Sequence, residues 1–228
     1  MSTEERDRQQ RGVYAEEDIP AGELARMAEV ARELADDVRA LVQATVLTDV
    51  ADDRIARARE LIGQATEILG EEHHERSFGT RFNSDGTHRS WGNALTGIRN
   101  PIAPPLRFEC FPDKVTVDVD LGGAYEGPAG LVHGGIIAAV FDQALGHATE
   151  SAKVPGMTGT LSIRYRQGTR LGKIHVEAWV DRVEGVKAFA KGELSTDDGL
   201  CAEAEGVFIM PKWARGEIQE KVLGRVGD

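Results

Sequence analysis

The chain has 228 residues, 41% hydrophobic and 29% charged, an ordinary balance for a globular protein built as one large domain or one domain with an appendage. Its formal net charge of -11 argues against nucleic-acid binding and against docking on anionic membranes, although a local Arg and Lys cluster could still hold an anion. Cys110 and Cys201 form neither a disulfide framework nor a CxxC metal pair, and read as small buried strand residues. The N-terminal residues are charged and lack an apolar export core, and no segment is long and apolar enough to span a bilayer, so a cytoplasmic location is expected.

Residues 1–18 are polar and read as a disordered tail. Pro20 then opens a helical pattern in which Leu24, Met27, Ala31, Leu34, Val38 and Leu41 form one apolar stripe. A second stripe follows through Ile55, Ala58, Ile62, Ala65 and Leu69, with Thr48 or Asp49 as candidate N-cap and Gly70 as stop. Together they predict a helical hairpin over residues 19–72, whose stripes must pack on each other, on the main domain or on a second subunit. Residues 73–104 carry many turn signals and read as a loop-rich connection, with His73 and His74 a solvated helix end rather than a metal site.

From residue 105 to 211 the pattern changes to alternation. Val115, Val117 and Val119 alternate with polar residues as in a half-buried strand, and further strands are predicted over about 158–166, 173–183, 186–196 and 200–210. Turns are expected at Asp197–Gly199 and Val183–Val186, and residues 212–228 form a polar tail. Between the first strand and the others lies a helix over 133–151 that is apolar almost all round, except for one carboxylate, Asp142. A lone acid in a buried helix costs free energy unless it is paired or functional. One buried helix among antiparallel strands implies an α+β domain whose sheet curls around that helix.

This layout, with the run EGPAGLVHGG over Glu126–Gly135 and Asp142 nine residues beyond His133, resembles the hot-dog fold. More narrowly it is similar to the PaaI-like acyl-CoA thioesterases within the 4-hydroxybenzoyl-CoA thioesterase superfamily, in particular the human-type group with an EGPxGxVHGG run. The resemblance covers roughly residues 90–211. It implies hydrolysis of an acyl-CoA, which is substrate rather than cofactor, by two subunits that build composite active sites across their interface.

The residues themselves support such chemistry. The first amides of a helix lack intrahelical partners, and the missing side chains of Gly134 and Gly135 let a ligand approach them, as an oxyanion hole requires. Gly134 and Asp142 are eight residues apart, roughly 12 Å along a helix, so one chain cannot bring both to one carbonyl carbon. If both act, two helices must lie side by side in a homodimer. Asp142 is then the general base or the nucleophile, and His133 shapes the oxyanion pocket. By resemblance, Thr158 supplies a hydroxyl to the acid, with Thr160 as fallback, and Arg164, Arg166 and Lys187 line the CoA groove. Relatives often carry Asn where this chain has Gly127, which leaves Glu126 or a backbone amide to orient the water. The competing readings are a hot-dog enoyl thioester hydratase and a non-catalytic acyl-CoA-binding scaffold.

Overall fold

The computed structural model describes residues 14–74, 77–83, 85 and 87–211. The expected polar tail at 212–228 and most of the N-terminal tail lie outside the described residues. Two compact units are present, one running up to Asn93 with Gly97–Pro101, the other made of Ala94–Thr96 and the chain from Ile102. The division therefore falls inside the segment expected to be a single connection, residues 73–104.

In the first unit, β1 (Tyr14–Glu17) pairs in parallel with β2 (Thr80–Asn83), which pairs antiparallel with β3 (His88–Arg89). Residues 14–17 are thus a strand and not part of a disordered tail. Besides the backbone ladder, the Glu17 carboxylate accepts bonds from the guanidinium groups of both Arg81 and Arg89. Buried Arg89 also donates to Asn83 Oδ1 at 3.0 Å. Charge pairing of this kind holds an otherwise polar strand in place.

Helix α1 (Ala21–Leu47) and helix α2 (Asp52–Gly70) follow the two predicted stripes. Within the single chain, though, both stripes stay largely open among the described residues. Ala35 is the buried residue of α1, α2 has none, and Leu34, Leu41, Ile55, Leu61 and Leu69 are exposed. Neither Thr48 nor Asp49 caps α2. The chain stays extended to Ala51, whose carbonyl accepts from the N–H groups of Arg54 and Ile55, while Thr48 closes α1. Asp52 and Asp53 in the first turn complement the helix dipole instead.

The second unit is a six-stranded antiparallel sheet around one helix. Its strands are β4 (Phe108–Cys110), β5 (Val115–Leu121), β6 (Met157–Tyr165), β7 (Gly172–Glu184), β8 (Lys187–Thr196) and β9 (Gly199–Ile209), in the order β4-β5-β7-β8-β9-β6. The last four lie within one residue of their predicted bounds. Helix α3 (Gly134–Ser151) touches all six. Val117, Val119, Leu121, Ile174, Val176, Ala178, Ala190, Leu194, Ala202 and Ala204 are the inward members of the alternation. They close over Val140, Phe141, Ala144 and Leu145, all at most 1% exposed. Small residues face the large ones. At Gly206 a Cβ would stand 3.0 Å from Leu145 Cδ1 and 2.8 Å from the Phe208 ring, so only glycine lets strand and helix approach this closely.

One expected burial is overturned: Cys201 is buried, but Cys110 is exposed. It ends a three-residue strand at the edge of the sheet. Among the described residues no helix is long and apolar enough to cross a membrane.

Because Phe141 fills the space between helix and sheet, Phe141→Ala should cost about 3–5 kcal/mol of unfolding free energy in a denaturant titration. A loss under about 1 kcal/mol would mean that this helix is not the centre of the core.

Candidate active site

The segment leading into α3 is a closed loop. A short 3₁₀ turn at Gly123–Tyr125 is followed by a bridge between Glu126 and Val132. Gly127 N–H donates to Leu131 O at 2.9 Å, Leu131 N–H to Pro128 O at 2.8 Å, and His133 N–H to Tyr125 O at 2.9 Å. Glu126 Oε1 accepts from Gly130 N–H at 2.7 Å. That carboxylate therefore braces the loop that delivers His133. The loop also explains the departure at Gly127. A Cβ there would lie 2.7 Å from His133 Cα and 3.1 Å from its Cβ, so no side chain fits.

His133 is the N-cap of α3, extended at φ -61 and ψ 131, with Nδ1 accepting from Gly135 N–H at 2.9 Å. An accepting Nδ1 fixes the neutral ring as the tautomer with its proton on Nε2, which can only donate. The His133 carbonyl accepts from the N–H groups of Ile136 and Ile137. Gly135, expected to offer its amide to a ligand, donates it to the capping ring instead. Gly134 N–H is the first-turn amide left without a partner among the described residues. It carries the positive end of the helix dipole.

Asp142 is half-buried on α3, and its Oδ1 accepts from Thr158 Oγ1 at 2.7 Å. A bulge makes this pair. The ladder between β6 and β9 slips between Thr158 and Thr160, so Thr158 stands opposite inward Phe208 while Thr160 stands opposite Val207. Under strict alternation from Leu161, Thr158 would point to the other face. The fallback residue Thr160 accordingly lies away from the acid.

At the far end of β6, the Tyr165 hydroxyl donates to the carbonyl of Gly134 at 2.8 Å. Its ring would be 3.5–3.7 Å from a Cβ on Gly134. Sequence reading missed this residue because it sits between two arginines. The inward alternation of Leu161 and Ile163 was the available signal.

The three basic residues do not form one groove within the chain. Leu161 and Ile163 pack on the core, which turns Arg164 and Arg166 to the opposite face of the sheet from Thr158 and Asp142. There they line a cleft of about 230 Å³ with Ser162, Trp179, Lys191 and Glu203. Arg166 pairs with Glu203, whose carboxyl is held below the usual range mainly by that hydrogen bond. Lys187 is exposed, on β8, which pairs with β9 at Ile209, the partner of Met157 at the start of β6. It lies six residues along β8 from the cleft residue Glu193, or about 20 Å.

A single helix wrapped by an antiparallel sheet, with its N-terminus at a glycine-rich turn, is the hot-dog architecture. The comparisons agree. Residues 129–203 match the model of the thioesterase superfamily. A bovine protein, acyl-coenzyme A thioesterase THEM4, is 37% identical over 101 residues, which is 42% of this chain and 41% of that protein. Its counterpart from Xenopus laevis is 32% identical over 91 residues, 39% of this chain and 41% of that protein. The match thus spans well under half the length of these curated relatives. A crystal structure described as a thioesterase superfamily protein superposes with a TM-score of 0.70 at 30% identity, covering 78% of this chain and 94% of the other. The chain belongs to the thioesterase superfamily.

Installing the side chain that relatives often carry should be harmful here. Gly127→Asn drives atoms into the His133 backbone, and should cost about 1–3 kcal/mol in a denaturant titration. Wild-type stability would show that the loop can shift away from His133.

Proposed function

We propose that the chain hydrolyses acyl-CoA thioesters to the free acid and CoA, at sites completed by a second copy of itself. The observation that carries this reading is the Thr158–Asp142 hydrogen bond, on a helix whose first amide is open. The names of the curated relatives support an acyl-CoA as substrate.

Gly134 N–H and Asp142 stand on one rigid helix, about 12 Å apart, too far to act on one carbonyl. Strand β6 suggests how two copies solve this. Among the described residues it is an edge of the sheet and its least buried long strand, with a row of backbone donors and acceptors facing outward. One end carries Thr158 against Asp142, and the other carries Tyr165 against Gly134. Antiparallel pairing of β6 with its copy, centred near Leu161 and Ser162, brings the acid end of one chain to the amide end of the other. Half-open small residues on α3 (Ala138, Ala139 and Gly146) leave room for the second helix. The same pairing brings Lys187 of one copy to the sheet end that carries Arg164 and Arg166 of the other, where the phosphates of CoA need cations.

Gly134 N–H and the Nε2–H of His133 donate to the thioester oxygen as it gains charge. Thr158 holds Asp142 through Oδ1, which leaves Oδ2 to take a proton from water or to attack the carbonyl carbon. Direct attack expels the CoA thiolate by breaking C–S and forms an anhydride. Water then hydrolyses the anhydride to the free acid and the regenerated carboxylate, its proton going to the thiolate. On the water route, the new C–O bond forms as the proton passes to Asp142. The C–S bond then breaks, and the thiolate of CoA leaves with that proton as the thiol.

Asp142→Asn should lower thiol release from acyl-CoA by at least about 100-fold, with CoA binding within about twofold of wild type. Thr158→Val, which keeps the shape and removes the hydroxyl, should lower it about tenfold. Undiminished turnover in Asp142→Asn would remove the acid from the mechanism. Tight CoA binding without thiol release at any chain length would favour a binding protein.

A further inference from the structure

The Tyr165 hydroxyl and the His133 ring act on the two ends of one peptide group. Tyr165 O–H donates to the carbonyl oxygen of Gly134 at 2.8 Å, and the N–H of the same peptide, on Gly135, donates to His133 Nδ1 at 2.9 Å. A helix carbonyl ordinarily accepts from the amide four residues on, so the tyrosine takes its second lone pair. All bonds in this chain point the same way, from the tyrosine O–H through the peptide to the imidazole and out at Nε2–H. Hydrogen bonds arranged head to tail polarise one another in series. Donation to the carbonyl makes the amide N–H a better donor, and the stronger bond at Nδ1 makes Nε2–H a better donor in turn.

We propose that Tyr165 is a positioning residue that acts through the Gly134–Gly135 peptide to set the tautomer and direction of the His133 ring. The inference rests on the hydrolase reading for its effect on turnover, because there Nε2–H meets the thioester oxygen. Tyr165 needs no contact with substrate for this. Its ring is half-exposed at 51% and its hydroxyl is not part of the core, so removing the oxygen leaves packing intact. Its place on the open edge strand also matters. A second copy laid along β6 would cover the bond and strengthen it by excluding water.

The test is Tyr165→Phe in the full chain, read in two ways. The ¹⁵N resonances of the His133 ring in wild type should be those of a neutral ring protonated at Nε2, and in Y165F they should move toward a mixture of the two tautomers. In steady-state thiol release, Y165F should lower kcat about fivefold with KM within about twofold and an unchanged unfolding midpoint. The same substitution in a His133→Ala background should cost less than about 1.5-fold, since the route through the ring is already gone. Unmoved ring resonances, or an equal loss in both backgrounds, would overturn the proposal. If wild type releases no thiol from any acyl-CoA, the hydrolase reading falls, and the ring resonances alone still decide whether Tyr165 reaches His133.

Discussion

Helix α3 is gripped along its buried face by the curled sheet, and its length sets the terms for everything else. An α-helix does not compress, so the open amide at Gly134 and the acid at Asp142 stay about 12 Å apart in any one copy. The close packing around Phe141 and Leu145 leaves the helix no freedom to bend and shorten that separation. A reaction that needs both groups at one carbonyl must therefore borrow one of them from a second chain. The open edge of β6, with the acid at one end and the amide at the other, is matched to that requirement under a two-fold operation.

The N-terminus of the helix and the acid at its middle are each tuned by a local irregularity. At the N-terminus a glycine without room for a side chain lets the loop press on His133, whose ring caps Gly135 and leaves Gly134 as the open amide. At the acid, a one-residue slip in β6 turns Thr158 inward to meet Asp142. Both devices trade regularity for aim, a common use of bulges and caps beside functional sites.

Periodicity carried most of the second unit. The apolar helix and the four long strands were legible because side-chain alternation and helical spacing are local properties, and burial enforces them. Asp142 stood out for the same reason, as an acid where the pattern demanded an apolar residue. What could not be read depended on contacts distant in the chain. The strand at 14–17 is held by a parallel partner beginning at Thr80 and by Arg81 and Arg89, none of which leaves a local trace. The commitment of Gly135 to His133, the contact that excludes a side chain at Gly127, and the reach of Tyr165 to Gly134 all arise only once the loop is closed. The basic residues were grouped by sequence proximity and by resemblance. Alternation turns Arg164 and Arg166 to the face opposite the acid, and Lys187 sits at the other end of the sheet.

Subunit mixing tests the shared site most directly. Gly134→Pro deletes the open amide yet suits the first position of a helix, and the extended backbone of His133 already matches what a following proline requires. Asp142→Asn deletes the acid. Each variant alone should be inactive. Unfolded together and refolded as mixed dimers, they should regain about a quarter of wild-type thiol release, because half of the dimers are mixed and each mixed dimer holds one intact site. Activity that stays at the level of the separate variants, with mixed dimers demonstrably present, would contradict a site shared between two chains.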